Sequence, residues 1–483
     1  MQFLQWWLLT LLGLFQLYAA GHALLYKRDP KAAWAWIATC ILLPPFGAIL
    51  YFLLGINRVR TKAKSLKWYW PLVHIEFPPV VSDQACTLPV HALPNLERAS
   101  PTFQRIADIS EAVTKRPLLC KNTITPLFNG EQAFPSMLEA IDTATNSVYL
   151  STYIFETNQT GQRFIRALQR AYNRGVDVRV IVDGIGEFYS WPRASKLLGK
   201  KKVPCAQFVP LRLFPPSALI NLRNHRKILT VDGKIGFTGG MNIGDRHLFD
   251  KLAKTSRVQD IHFQCTGPIV AQMEQVFLED WGFCTGDEDL RPSDPHIDSS
   301  GSAICRTITV GPNQDLNKLS MILVGAISQA QEDVMIMTPY FLPNRELIGA
   351  LQSAALRGVK VNVVLPGKNN LPYVHWATRN MLWELLQYGV RIFYQPPPFN
   401  HSKLFLVDDS YAQIGSANLD PRSLRLNFEM VVEFFDQQLI SSLTRHVQDT
   451  IQISKEETLQ QVDGRPLPAR LRDSFFWLFS PYF

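Results

Sequence analysis

Two short segments of the chain carry the same three polar residue types at the same spacing. Both follow the pattern H-x-K-x-x-x-x-D, and the residues are His225, Lys227 and Asp232, then His401, Lys403 and Asp408. Side chains two positions apart on a β-strand point to the same face. Each segment therefore predicts an imidazole and an ammonium side by side, with an aspartate at the turn that follows. We expect all six residues to be catalytic.

Small polar residues follow each motif and end in Asn242 and Asn418. Two such units around one cleft would suit a phosphodiester, because lysine and asparagine donors bind its non-bridging oxygens. One histidine could attack phosphorus while the other protonates the leaving oxygen. A single copy of this pattern recurs by chance, and a lone strand histidine is usually a core residue. Two copies at equivalent places indicate a function.

A nucleophilic histidine also needs an acceptor on its second ring nitrogen, which fixes the tautomer. Asp260 and Glu429 lie downstream of the two motifs at comparable spacing. The repeat symmetry allows each carboxylate to serve the histidine of its own half or that of the other half. The alternative is that both form surface ion pairs.

The elements that must position these residues occur twice along the chain. Each half contains a helix, a strand, a second helix and a second strand, at 137–144, 148–153, 164–174 and 176–182, and again at 321–330, 334–340, 347–357 and 359–365. Strands alternating with helices predict βαβ units, a mostly parallel sheet and helices on both faces. The polar stretch 285–302 is the predicted join.

The first 57 residues differ from the rest. Residues 1–26 and 32–57 contain no charged side chain, and each run exceeds the roughly 20 residues that cross a bilayer core. They predict a two-helix transmembrane hairpin, with a kink in the second helix at Pro44, Pro45 and Gly47. A cleaved signal peptide or a buried core hairpin are the alternatives, but the start lacks the basic residues of a signal peptide.

The number and distribution of charged residues predict the class of partner and the orientation of the chain in a membrane. The chain has 49 Lys and Arg against 41 Asp and Glu, and the net charge of +8 favours an anionic partner. Five basic residues follow the second run (Arg58, Arg60, Lys62, Lys64 and Lys67), and three lie between the runs (Lys27, Arg28 and Lys31). The positive-inside rule then places both the N-terminus and the large C-terminal part in the cytoplasm.

Composition excludes a disordered chain and a small scaffold framed by disulfides. Hydrophobic residues make up 47% and charged residues 19% of the 483 residues, which excludes a disordered chain. The seven cysteines have no close pairing pattern, so we expect no disulfide framework, no zinc site and a reducing compartment.

The motifs resemble those of the phospholipase D superfamily and, within it, the membrane-anchored bacterial cardiolipin synthases. The matching segments are 35–37, 43–44, 47, 129–131, 153–155, 223–227, 239–245, 415–423 and 427–429. Departures occur at Arg246 and His247, where glutamate and an aromatic residue are commoner, and at Val258 and Gln259, where Trp-Arg is usual. These departures lie outside the residues expected to be catalytic, so they bear on contacts with the substrate and not on the reaction.

The resemblance implies an α/β fold of two pseudo-symmetric phospholipase D-like repeats, each a mixed, mostly parallel sheet flanked by helices. The implied boundaries are a transmembrane hairpin at 1–57, a basic, proline-containing linker at 58–105, and two halves at 106–290 and 291–483. The implied location is the bacterial inner membrane, as a multi-pass protein.

The resemblance also implies phosphatidyl transfer between two phosphatidylglycerol molecules, which yields cardiolipin and glycerol through a phosphatidyl-histidine. By analogy His225 is the nucleophile and His401 the general acid and base. Glu429 then orients His225, and Asp260 orients His401. Neither a cofactor nor a metal is expected. The expected partners are phosphatidylglycerol, cardiolipin and the lipid bilayer, without nucleic acid, and a homo-oligomer is allowed.

Other functions share these motifs. A hydrolytic phospholipase D differs in using water as the second acceptor, and a transferase could use phosphatidylserine or phosphatidylethanolamine. A nuclease would use the same residues on a nucleic-acid backbone, but the apolar hairpin disfavours it. A membrane scaffold with a degenerate site is disfavoured because every core motif residue is present.

Overall fold

The structure is a computed structural model, and it describes residues 2–27, 30–55, 87–88, 101–210, 222–249, 257–288, 290–294, 296, 301–312 and 317–480. The chain divides into two compact units, residues 1–67 and residues 68–483. The predicted basic cluster after residue 57 and most of the predicted linker lie outside the described residues.

The first unit begins with a long apolar helix, Gln2–Tyr26. Within the described residues, its stretch Gln5–Tyr26 is the one helix long and apolar enough to cross a membrane. The second apolar run is divided into the helices Pro30–Leu42 and Phe46–Leu50 and a π-helical turn, Tyr51–Gly55. A continuous second span is therefore not confirmed.

The break in the second run has a local cause. It coincides with Pro44 and Pro45, which lack the backbone N–H that would continue the helical hydrogen bonds. The helices of this unit nevertheless pack on one another through small buried residues, including Ala19, Ala23 and Ala48.

The second unit contains two similar sets of strands. The first set is β1 (Thr87–Leu88), β2 (Leu118–Phe128), β3 (Ser147–Thr152), β4 (Asp177–Asp183), β5 (Cys205–Phe208), β6 (Ile228–Val231), β7 (Ile235–Gly239), β8 (Val258–Gln259) and β9 (Ile261–Thr266). The second set is β10 (Ala303–Val310), β11 (Asp333–Met337), β12 (Lys360–Pro366), β13 (Arg391–Gln395), β14 (Phe399–Asn400), β15 (Leu404–Val407), β16 (Tyr411–Gly415), β17 (Glu429–Phe435) and β18 (Lys455–Glu457).

All of these strands except β8 and β14 join one sheet. In the first half the order is β5-β4-β3-β6-β7-β9-β2, and in the second half it is β13-β12-β11-β15-β16-β17-β10, with β18 beyond β13. The halves meet where β2 pairs with β10. The equivalent order of the two halves confirms the predicted repeat.

The strand directions correct one expectation. Strands β3, β4 and β5 are parallel, as are β11, β12 and β13. Neighbouring strands are antiparallel along β6-β7-β9-β2 and along β15-β16-β17-β10. The sheet is therefore mixed but not mostly parallel. Short turns such as the one between β6 and β7 can join only antiparallel strands.

Helices flank the sheet in both halves. Their bounds are Pro101–Thr114, Asn129–Thr143, Gln159–Asn173, Ala194–Lys200, Ile269–Thr285, Lys318–Gln329, Arg345–Leu356, Pro372–Leu386, Pro421–Arg425, Gln437–Gln452, Leu459–Asp463 and Leu467–Trp477. Each half has its own core, one around Phe164 and Val180 and one around Leu351 and Val363. The sequence predicts no disulfide framework, and the structure places one of the described cysteines, Cys120, in a disulfide bond.

Candidate active site

The histidine of each motif is held by the backbone of the other half. The N–H of His225 donates to the carbonyl of Phe428 at 2.9 Å, and the N–H of His401 donates to the carbonyl of Gln259 at 2.7 Å. Strand β14 also pairs with β8 in parallel, directly before His401. These bonds fix each histidine to the half of the chain that does not contain it.

The residue after each accepting carbonyl is a buried carboxylate. Nδ1 of His225 lies 3.1 Å from Oε2 of Glu429, and Nδ1 of His401 lies 2.9 Å from Oδ2 of Asp260. Both carboxylates are fully buried. The geometry therefore has the crossed arrangement, in which each half supplies the acceptor for the histidine of the other half.

Glu429 lies among several donors. The hydroxyls of Ser416 and Ser423 donate to its carboxylate at 2.6 and 2.9 Å, and the amide of Asn427 lies 3.4 Å away. Burial alone would raise the pKa of Glu429, but the charges and hydrogen bonds of His225 and the other donors lower it below its usual range. Glu429 is therefore ionised at neutral pH.

Asp260 has a different environment. It accepts the backbone N–H of Ile261 at 2.9 Å, and burial raises the pKa of Asp260 to about 7. Gly240 packs directly against it: a Cβ atom there would lie 2.6 Å from both carboxylate oxygens and 2.9 Å from the carbonyl of His401. The pair of Asp260 and His401 can therefore hold a proton near neutral pH, whereas Glu429 is an anion.

The two lysines lie beside the histidines. Nζ of Lys227 donates to the carbonyl of His225 at 2.7 Å, and Nζ of Lys403 donates to that of His401 at 2.6 Å. Burial lowers the pKa of Lys227 to about 7 and that of Lys403 to about 8. An anionic phosphodiester would favour their charged forms.

Burial also lowers the pKa of both histidines, so that neutral imidazole is favoured at His225. For His401 the nearby charges of Lys403, Lys227 and His225 add to the effect of burial and lower the pKa further. The crossed contacts and these mutual effects on pKa place the two histidines and the two lysines close together.

The two predicted asparagines lie in the loops around the site. Asn242 accepts the backbone N–H of Ile154 at 3.1 Å, and the amide of Asn418 donates to Ser423 at 3.2 Å. Oδ1 of Asn418 is buried and has no partner among the described residues. Contact of either asparagine with a phosphate stays a prediction.

The motif aspartates are the residues that the structure does not bring to the site. Asp232 accepts the backbone N–H groups of Thr145, Asn146 and Ser147, and Asp408 accepts those of residues 331–333. Each lies just beyond the far end of its strand, five residues and about 17 Å along the extended chain from the lysine of its motif. The catalytic assignment of both is therefore corrected: they tie a turn to the start of a neighbouring strand.

Two tyrosines were not predicted as site residues. The ring of Tyr153 lies 4.9 Å from that of His225, and Nζ of Lys227 is 5.6 Å from its centre. The ring of Tyr340 lies 6.4 Å from that of His401. Both follow equivalent strands, β3 and β11, so the repeat itself contained the signal that could have identified them.

Comparisons with known proteins agree with this architecture. Residues 137–281 and 323–451, together more than half of the chain, match the family described as "Cardiolipin synthase, PLD-like domain". Residues 14–55 match the family "Phospholipase_D-nuclease N-terminal".

Individual relatives match over nearly the whole chain. A cardiolipin synthase of Staphylococcus aureus is 28% identical over 96% of this chain and 94% of its own length. Cardiolipin synthase 1 of Bacillus anthracis is 28% identical over 98% and 92%. The solved structure of phosphatidylserine synthase from Haemophilus influenzae covers 78% of this chain and 100% of its own, with 16% identity and a TM-score of 0.60. That structure supports the fold, and the family match decides membership: the chain belongs to the cardiolipin synthase, PLD-like domain family.

Proposed function

We propose that the chain is a cardiolipin synthase that moves a phosphatidyl group from one phosphatidylglycerol to another. The observation that carries this is the crossed pairing of His225 with Glu429 and of His401 with Asp260, with two buried lysines beside them. The names of the Staphylococcus and Bacillus relatives support cardiolipin as the product.

In the first step, Nε2 of His225 attacks the phosphorus of one phosphatidylglycerol. The carboxylate of Glu429 keeps the proton on Nδ1, so that the lone pair of Nε2 is free for the attack. The bond from phosphorus to the glycerol oxygen breaks, and His401 passes to that oxygen the proton that it shares with Asp260. Glycerol leaves, and the phosphatidyl group remains bonded to His225.

In the second step, His401 takes the proton from a hydroxyl of the second phosphatidylglycerol. The resulting oxygen attacks phosphorus, the phosphorus–nitrogen bond breaks, and cardiolipin leaves. Asp260 is suited to this exchange because the pKa of its carboxyl group, raised by burial to about 7, lies near the working pH. The lysines and asparagines would hold the charge of the non-bridging oxygens.

We propose a membrane location for this reaction. The charge asymmetry of the sequence is our ground for placing the catalytic unit in the cytoplasm, where the disulfide of Cys120 would be reduced. The apolar helix Gln2–Tyr26 supports anchoring, and a lipid enzyme benefits from being held at its substrate. The proposed partners are phosphatidylglycerol, cardiolipin and the bilayer. A homo-oligomer would be able to bind the same lipids. One phosphodiester replaces another, so the exchange needs no nucleotide.

The test is to incubate the full chain, reconstituted in phosphatidylglycerol vesicles, without any other substrate. We expect cardiolipin and free glycerol in equal amounts. Phosphatidic acid in place of cardiolipin would indicate a hydrolase. The absence of lipid turnover would overturn the proposal and favour a nuclease or a scaffold.

A further inference from the structure

A short loop after β4, residues 186–192, presents three aromatic side chains to solvent. We call it the aromatic loop. Phe188, Tyr189 and Trp191 are 53%, 55% and 79% exposed. Each of these side chains exposes a large apolar area to water. Three of them within seven residues form an exposed apolar patch of the kind that marks a site of interaction.

The base of the aromatic loop is rigidly tied. Asp183 accepts the backbone N–H groups of Ile185 and Gly186 at 2.8 and 3.1 Å. The buried carboxylate of Glu187 accepts the N–H of Ser195 at 2.8 Å, and Ser190 accepts the N–H of Thr157 at 3.0 Å. The polar residues therefore point inward as anchors, and the aromatic residues are held outward.

The aromatic loop is continuous with the active site. The ring of Tyr189 lies 6.3 Å from that of Tyr153, which in turn lies 4.9 Å from the ring of His225. The loop thus lies beside His225, on a solvent-exposed side of the site that we take as its entrance.

Cations accompany the aromatic side chains. The guanidinium of Arg193 lies 4.1 Å from the ring centre of Phe188, and that of Arg246 lies 5.9 Å from the ring centre of Tyr189. Aromatic rings together with arginines are typical of surfaces that lie at the headgroup level of an anionic bilayer. Arg246 also forms an ion pair with Glu156, so Arg193 is the main cation that this surface offers to an anionic headgroup.

We propose that the aromatic loop inserts into the boundary between headgroups and acyl chains of an anionic phospholipid bilayer. Insertion would hold the entrance of the site at the depth of the phosphodiesters, so that a lipid could reach His225 without leaving the bilayer. This inference rests on the proposed function for its substrate, but the insertion itself can be measured without turnover.

The first experiment measures insertion directly. The full chain is reconstituted in phosphatidylglycerol vesicles whose acyl chains carry bromine, which quenches nearby tryptophan emission. We expect Trp191→Phe to remove part of the quenched emission, and the control Trp383→Phe, on the helix Pro372–Leu386, to remove none of it. Equal quenching in the wild type and in Trp191→Phe would overturn the proposal, whether or not the protein makes cardiolipin.

The second experiment separates docking from chemistry. In Phe188→Ser/Trp191→Ser we expect the KM for phosphatidylglycerol in protein-free vesicles to rise about tenfold, equivalent to about 1.4 kcal/mol. Turnover of monomeric short-chain phosphatidylglycerol should not change. The control is Tyr172→Ser, an exposed residue about 18 Å along its helix from the end near the site, and it should match the wild type on both substrates.

The remaining outcomes contradict the proposal. An equal loss on vesicles and on monomeric lipid would mean that the loop only supports the site. No loss on either would mean that another occupant, such as a protein, covers it. If the wild type makes no cardiolipin, the proposed function fails, and the bromine quenching alone decides whether the loop inserts.

Discussion

Nδ1 of His225 lies 3.1 Å from Oε2 of Glu429, although the two residues are 204 positions apart in the sequence. The backbone brings them together, because the N–H of His225 donates to the carbonyl of the residue before Glu429. His401 and Asp260 repeat the relationship in the opposite direction. Neither half of the protein therefore contains both a histidine and the carboxylate that orients it.

The first prediction concerns the charge of Glu429. Glu429→Gln removes the anion that orients His225 and should lower kcat by about 10²- to 10⁴-fold, the usual range for a lost general acid–base contribution. Steady-state kinetics with phosphatidylglycerol vesicles measure this.

Ser416→Ala gives the graded control for this prediction. It removes one of the hydroxyls that hold the carboxylate, and it should lower kcat by about 10- to 150-fold, since one hydrogen bond to a charged group contributes about 1.5–3 kcal/mol. A kcat for Glu429→Gln within twofold of the wild type would contradict the assigned role.

The second prediction concerns the close approach of Gly240 to Asp260. Gly240→Ala would place a Cβ atom 2.6 Å from both carboxylate oxygens, so Asp260 and His401 must shift. We expect kcat to fall by about 10²-fold, as a misplacement of about 1 Å can cause. Gly349→Ala is the matched control, because a Cβ atom there meets nothing within 4 Å. Equal activity of the two variants would refute the predicted displacement.

The third prediction tests the corrected role of the motif aspartates. Asp232 has φ 52°, a left-handed conformation that asparagine also adopts, so Asp232→Asn preserves the turn. Loss of the charged acceptor of three N–H groups should lower the free energy of unfolding by about 1–2 kcal/mol. The turnover of the folded protein should stay within twofold. A hundredfold lower turnover at an unchanged Tm would restore a catalytic role.

The fourth prediction concerns pH. Asp260 and Lys227, with pKa values of about 7, and Lys403, with a pKa of about 8, all carry their protons below those values. As the pH rises from 7 to 9, the site loses these protons and its attraction for an anionic lipid, so kcat/KM should fall. Lys227→Arg stays charged and should move the fall to higher pH. A profile of kcat/KM that rises over this range would contradict the account.

The sequence predicted the site better than it predicted the surrounding sheet. The repeated spacing of histidine and lysine, with Asp260 and Glu429 at matching distances, identified the groups that meet in the structure. The turn Asp232-Gly233 is a typical hairpin signal, so the antiparallel pair of β6 and β7 was open to prediction.

Other features depend on packing that spacing does not reveal. Ser416 and Ser423 donate to Glu429 only because β16 and the helix Pro421–Arg425 meet there. Similarly, the charge-free run 32–57 suggested a second span by composition, whereas the proline pair divides it into short helices.

The central claim is that His225 alone carries the phosphatidyl group. The most direct measurement uses phosphatidylglycerol labelled in its phosphatidyl part, with the reaction quenched while the intermediate survives and the labelled peptide identified by mass spectrometry. We expect label on His225 and none on His401. Label on His401 would reverse the assignment of nucleophile and general acid.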